Sequence, residues 1–96
     1  MERFRRTRAM ASRQILDEAV LIPIRTGARE ALGAYHLNPT AACLWARLER
    51  EASLDELAAL LCERFEVGAD RARADAEAFC RELVALGALE PVDPGP

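Results

Sequence analysis

Hydrophobic and polar positions change period once along this chain, near residue 38, and the change separates a β-forming half from a helical half. Arg13 to Leu16 and Ala19 to Arg25 read as two strands. The second, Ala-Val-Leu-Ile-Pro-Ile-Arg, is rich in the branched residues that fit a pleated, half-buried surface. An Asp17-Glu18 turn between them predicts a hairpin that pairs Leu16 with Ala19 and sets Pro23 opposite Ser12. Proline has no N–H to give a ladder, so this register limits how far the first strand extends. Thr26-Gly27 opens a loop over residues 26–32. Gly33 to Leu37 then form a short third strand, with Tyr35 and Leu37 on one face and Ala34 and His36 on the other.

From Asn38 the pattern is helical. Asparagine caps a helix well and Pro39 suits its first position; Ala42, Trp45 and Leu48 fall on one face, with Ala41 and Leu44 at its margin. Trp45 therefore reads as a core residue. Ser53-Leu-Asp-Glu56 is a capping box ahead of an apolar stripe of Leu57, Leu60, Leu61 and Phe65. Gly68 breaks that helix. Asp70 is the expected cap of a third, which runs to about Leu86 and stops at Gly87, a residue suited to the left-handed position after a helix. The third helix has a core stripe of Ala72, Ala76, Phe79, Leu83 and Leu86. One step round lies a second stripe, Arg73, Glu77, Cys80 and Val84, which either lines a shallow channel or completes a wide core face.

A three-stranded meander cannot bury its apolar face alone, so the helices must cover it. The expected fold is α+β and winged-helix-like, a three-stranded antiparallel sheet followed by three helices, over residues 12–90. Residues 1–11 are basic, lack the apolar segment of a secretory signal, and read as a mobile N-terminal arm. Residues 91–96 read as a Pro/Gly tail.

Composition narrows the functional classes. All 13 basic residues are arginine, and the net charge is −3. Residues 1–29 hold seven arginines against Glu2, Asp17 and Glu18, a surplus of +4, whereas residues 30–96 hold six against thirteen carboxylates, −7. An acidic folded part is a poor match for a phosphate backbone, where cationic side chains supply most of the affinity. The middle helix carries Asp55, Glu56, Glu63 and Glu66 against Arg64 alone, the reverse of a DNA-recognition helix. No apolar run is long enough to span a membrane. Cys43, Cys62 and Cys80 are widely spaced and His36 is the single histidine, so neither a metal site nor any other cofactor site is expected. Reduced cysteines on apolar helix faces fit a cytosolic chain. No nucleophile constellation, carboxylate pair or glycine-rich phosphate loop is present, so the chain is not expected to be an enzyme.

Five segments, in order, resemble the PqqD-like family. They are Glu18-Ala-Val-Leu-Ile-Pro-Ile-Arg25; Tyr35-His-Leu-Asn-Pro-Thr-Ala-Ala42 with Leu44-Trp45; Ser53-Leu-Asp-Glu-Leu57; Glu63-Arg-Phe-Glu-Val67; and the run from Asp75 to Leu89. The resemblance covers about residues 13–89. Glu49-Arg50-Glu51-Ala52 stands where the family often has Asp-Gly, and the segment after the second strand is longer than in the pyrroloquinoline-quinone proteins themselves.

The resemblance implies a non-catalytic peptide chaperone. Such a module binds the leader of a ribosomally made precursor peptide and presents it to a modifying enzyme, such as a radical S-adenosylmethionine protein, a cyclase or a protease. In the family the leader adds as an extra strand on the edge of the third strand, in a groove beside the third helix. Carried onto this chain, that mode points to Ala34, Tyr35, His36 and Leu37 on the strand and to Arg73, Glu77, Cys80 and Val84 on the helix. Two other functions remain open from sequence: a winged-helix DNA-binding protein, and an adaptor that docks an enzyme without carrying a leader.

Overall fold

The computed structural model describes residues 2–24 and 33–92. Among the described residues, six strands and three helices follow one another as β1 (Arg3–Arg6), β2 (Met10–Ile15), β3 (Glu18–Pro23), β4 (Tyr35–Leu37), α1 (Pro39–Arg47), β5 (Ala52–Ser53), α2 (Leu54–Arg64), α3 (Ala69–Leu86) and β6 (Leu89–Val92). The expected meander is there, antiparallel in the order β2-β3-β4, with α1 packed directly on β3 and β4 and α2 and α3 behind it. A second antiparallel sheet, β5-β1-β6, brings the two ends of the chain together. The expected loop over 26–32 and the tail residues 93–96 lie outside the described residues.

Two sequence expectations fail at the N-terminus and the C-terminus. Residues 3–6 are not a mobile arm but the central strand of the second sheet, and Pro91 and Val92 are not tail but part of β6. Phe4 supplies the apolar anchor, 7% exposed in the common core. Around it the arginines find carboxylates: Arg3 Nε lies 2.5 Å from Glu51, and Arg5 Nε lies 2.6 Å from Glu90. Two arginines of the basic start are thus matched by carboxylates of the acidic remainder, Glu51 just ahead of β5 and Glu90 in β6. Thr7 ties this sheet to the end of α3, its N–H donating to Ala88 O at 2.9 Å and its hydroxyl to Gly87 O at 2.6 Å.

The hairpin register also differs from expectation. Ile15 pairs with Glu18 and Met10 with Pro23, so the two-residue turn is Leu16-Asp17, not Asp17-Glu18. Leu16 holds φ +59, and Asp17 does not share a positive φ, which is the pattern of a type II′ turn. The pair flanking such a turn exchanges ladder hydrogen bonds, so even-numbered β3 residues face β2 and odd-numbered ones face β4. Ile24 N donating to Ala9 O at 3.0 Å fits this parity. Pro23 is odd. Its missing N–H lies on the β4 side, beyond the end of that short strand, and the ladder to β2 runs past it undisturbed.

Local signals set the helices as read. Asn38 Oδ1 accepts from Ala41 N at 2.9 Å, and the Ser53–Glu56 capping box closes in both directions. Gly87 ends α3 at φ +84, where a side chain would be strained. Gly68, not Asp70, occupies the N-cap of α3, with no side-chain cap; Asp70 lies in the first turn, where its charge still favours the helix dipole. The core is continuous. Leu44, Trp45 and Leu48 of the first helical segment meet Leu57 and Leu61 of α2, Ala72, Ala76, Phe79 and Leu83 of α3, and Ala19, Leu21 and Leu37 of the meander. Ala72 and Ala76, both fully buried, let α3 approach α2 closely.

Candidate functional site

Among the described residues β4 pairs with β3 alone, through Ala19–Leu37, Val20–His36 and Leu21–Tyr35. By the parity above, Tyr35 and Leu37 turn their backbone groups toward β3. His36 turns its N–H and C=O toward the open side, where nothing in the described chain pairs with them. The strand itself is firmly held: Leu37 is buried in the core and Tyr35 packs against it half-buried. His36 is exposed on the outer face, as the alternation predicts, and Ala34, just ahead of the strand, is exposed too. There His36 Nε2 lies 2.5 Å from Glu18 Oε1, one strand over. A short strand fixed by its side chains and free along one backbone edge is a template for another chain.

The helical half of the expected site is arranged differently. Cys80 is 1% exposed and belongs to the core, which corrects the expectation that its thiol lines an open channel. Burial pushes that thiol up to about 12, with the Glu2 charge adding to the effect. Arg73 pairs with Asp55 at the start of α2, and Glu77 lies 2.5 Å from Arg81. That neighbouring arginine holds the Glu77 carboxyl below its ordinary value. Arg73 and Glu77 therefore spend their charge on α2 and on α3 itself, and the structure joins neither to β4 by a hydrogen bond or ion pair. Val84 is half-buried against the core. The helical phase was read correctly, but a stripe one step from the core centre faces α2 and Glu2 as readily as solvent.

The arginines of α3 are all matched. Arg71 lies 3.2 Å from Asp75, and Arg73 and Arg81 have the partners just named. A helix whose cations are each matched by a carboxylate has little charge left for a phosphate backbone. No helix among the described residues is long and apolar enough to cross a membrane.

The model of one protein family, described as Coenzyme PQQ synthesis protein D (PqqD), matches residues 18–89. The chain belongs to the PqqD family. Two solved structures resemble this PqqD-family chain over nearly its whole length. One is described as TbiB1 in complex with the TbiA(beta) leader peptide; it is 26% identical, with a TM-score of 0.73, covering 90% of this chain and 94% of that one. The other is described as lasso peptide synthetase B1 complexed with the leader peptide; it is 28% identical, with a TM-score of 0.72, covering 92% and 98%. No curated protein matches the chain. The matched span begins at β3 and ends at the first residue of β6, so the PqqD family signal excludes β1 and β2.

Proposed function

We propose that this PqqD-family protein binds the leader of a ribosomally made precursor peptide by strand addition to β4 and presents it to a modifying enzyme, with no catalysis of its own. The observation that carries the reading is the open backbone edge at His36, on a strand locked in place by Leu37 and Tyr35. Two relatives of the same fold are each described in complex with a leader peptide, which supports leader recognition here. Strand addition suits the task because backbone bonding tolerates varied sequences while a few side chains give selectivity. The enzyme served is a radical S-adenosylmethionine protein, a cyclase or a protease, and the setting is the cytosol, in keeping with three free cysteines.

The energetics are adequate. Two or three apolar anchors gain about 1.5–3 kcal/mol each, against about 2–5 kcal/mol for ordering the peptide. With edge hydrogen bonds added, the dissociation constant falls on the order of micromolar or below. Hydrogen exchange on the intact chain, with and without the leader of a precursor encoded beside its gene, tests the proposal. Protection at the His36 amide is the expected result. Binding without protection there, or no binding to any neighbouring leader, overturns it.

A further inference from the structure

The meander has a second open edge. Among the described residues β2 pairs with β3 alone, and the ladder uses the odd-numbered residues Ala11, Arg13 and Ile15 for its hydrogen bonds. Met10, Ser12 and Gln14 therefore turn their backbone groups away from the sheet while their side chains point inward. Ser12 and Gln14 form one wall of a trough whose other wall is α1. The trough consists of two hollows, of about 420 and 270 Å³, which share Gln14, Ala42 and Ala46. The two alanines, a helical turn apart, make a shallow floor.

Its charge is opposite to that of the molecule. The lining includes Arg6 at one end and Arg47 and Arg64 at the other, with Asp17 and Glu49 the carboxylates; Arg13, on the outer face of β2 by the same alternation, borders the trough at the strand edge. That is a formal +2 in a chain of −3. Arg47 is held by Glu56, but Arg13 and Arg64 pair with no described carboxylate. Arg6 stacks 4.1 Å over the Trp45 ring, and its Nε and the Trp45 Nε1 are both buried without an acceptor. Both groups are donors only, and beyond the 2.5 Å bond from Arg6 Nη2 to Trp45 O this donor pair has no described partner.

We propose that the β2 edge and this trough form a second docking groove, which takes an extended, acidic segment of the partner enzyme. The proposal rests on the reading of the chain as a leader-presenting protein and names where the enzyme holds it. β2 and β4 are opposite edges separated by β3, so leader and enzyme occupy the module together without competing. Unpaired backbone groups at Met10, Ser12 and Gln14 supply strand pairing, the alanine floor admits small apolar side chains, and the arginines select carboxylates.

The probe is an acetylated, amidated hexapeptide alternating glutamate and valine, titrated into the full-length, isotope-labelled chain and followed by two-dimensional NMR. The expected result is movement of the Ser12 and Gln14 amides and of the indole N–H of Trp45, the single tryptophan. A double variant, Arg13→Glu with Arg64→Glu, both on the surface, should weaken binding by about tenfold or more, and Ser12→Pro by a similar factor. A matching peptide with glutamine for glutamate should bind at least about tenfold more weakly. Absence of any shift at millimolar probe, shifts confined to His36, or undiminished binding to the double variant overturns the proposal. So does tighter binding of a single-stranded oligonucleotide at the same residues. A parallel leader titration reads His36, so either groove can fail while the other stands.

Discussion

The two sheets of this molecule are alike in strand number and opposite in use. The terminal sheet, β5-β1-β6, ties the chain ends together: its outer strands are only two and four residues long, its arginines meet Glu51 and Glu90, and Phe4 anchors it in the core. The meander is held at its centre by Ala19, Leu21 and Leu37 and, among the described residues, has its outer strands β2 and β4 paired on one side only, β2 for six residues beside a trough against α1. Joining the chain ends secures the core on one side, so the other side can keep unpaired backbone for ligands. The difference teaches that stability and recognition reside in different sheets, and substitutions should separate them.

The largest expected effect tests the terminal sheet. Phe4→Ala removes a buried ring and should cost about 3–5 kcal/mol in urea or guanidinium unfolding. That is a large share of the roughly 5–15 kcal/mol that holds a small domain together. Were residues 1–11 a mobile arm, the substitution would be silent. The leader affinity of the molecules that remain folded should not change.

The complementary break is His36→Pro. Its N–H points to the open side, so the β3–β4 ladder survives, while an incoming strand loses a donor and meets the ring. Leader affinity should fall at least about tenfold, or ~1.4 kcal/mol, by calorimetry, with unfolding free energy moved by less than about 1 kcal/mol. His36→Ala keeps the N–H and should cost the leader no more than about fivefold, the scale of one cross-strand contact. Equal losses from both substitutions would place recognition in the side chain and not in the backbone edge.

How far each sheet could be read in advance follows the same division. The strand-to-helix switch at Asn38-Pro39, the Ser53–Glu56 box and the Gly87 stop were all legible, because each is a bond or angle set within a few residues. The alternation of Tyr35, His36 and Leu37 gave the faces of β4 correctly, but the strand starts at Tyr35 and not at Gly33, whose φ of +98 keeps Gly33 and Ala34 out of it. The terminal sheet was not legible, because Arg-Phe-Arg-Arg offers one apolar side chain and its partners lie 48 and 85 residues away in sequence. The available signal was the charge asymmetry: a +4 segment in front of a −7 remainder is complementary as well as asymmetric. Cys80 was misjudged because a residue one step from the centre of a helical stripe is core or channel according to what packs beside it. Here α3 packs closely on α2 through Ala72 and Ala76, and the thiol is enclosed. That enclosure should leave Cys80 unalkylated by iodoacetamide at pH 8 in the native protein, while exposed Cys62 reacts; peptide mass spectrometry reads both.

The hairpin register was missed for a reason that is itself testable. Leu16 occupies the first central position of a type II′ turn at φ +59, where glycine is the usual residue, and it is 89% exposed. Propensity argues against leucine there, and only the burial of Ala19, Leu21 and Leu37 on the inner face fixes the register. Leu16→Gly relieves the left-handed strain of roughly 1–2 kcal/mol and adds chain entropy to the unfolded state of about 0.5–1 kcal/mol. The net should be a stabilisation of about 0.5–1 kcal/mol, or a few degrees in melting temperature for a domain of this size. Leader affinity should be unchanged, since the turn joins β3 to β2 and the open edge of β4 lies on the other side of β3. A loss of stability would mean that Leu16 packs in solution.

The smallest effect probes the seam between the terminal sheet and the helices. Glu56 accepts from Ser53 N at 2.8 Å, and its Oε1 lies 3.7 Å from Arg3 of β1 and 3.6 Å from Arg47 of α1. The Ser53 backbone bond first, then the two arginines, hold its carboxyl below the ordinary value of 4.5. A carboxyl depressed by folding stabilises the protein fully above its unfolded value, and that contribution is lost as pH falls through the lower, folded value. Glu56→Gln keeps an oxygen for the cap and removes the charge. The variant should therefore be slightly less stable than the parent at neutral pH, and the gap in urea midpoint should close as the solution is taken below pH 4.5. A gap that stays constant with pH would assign the loss to cap geometry. In that case the tie between the terminal sheet and α2 rests on Leu54 N donating to Glu2 O at 2.9 Å, and charge plays no part in the seam.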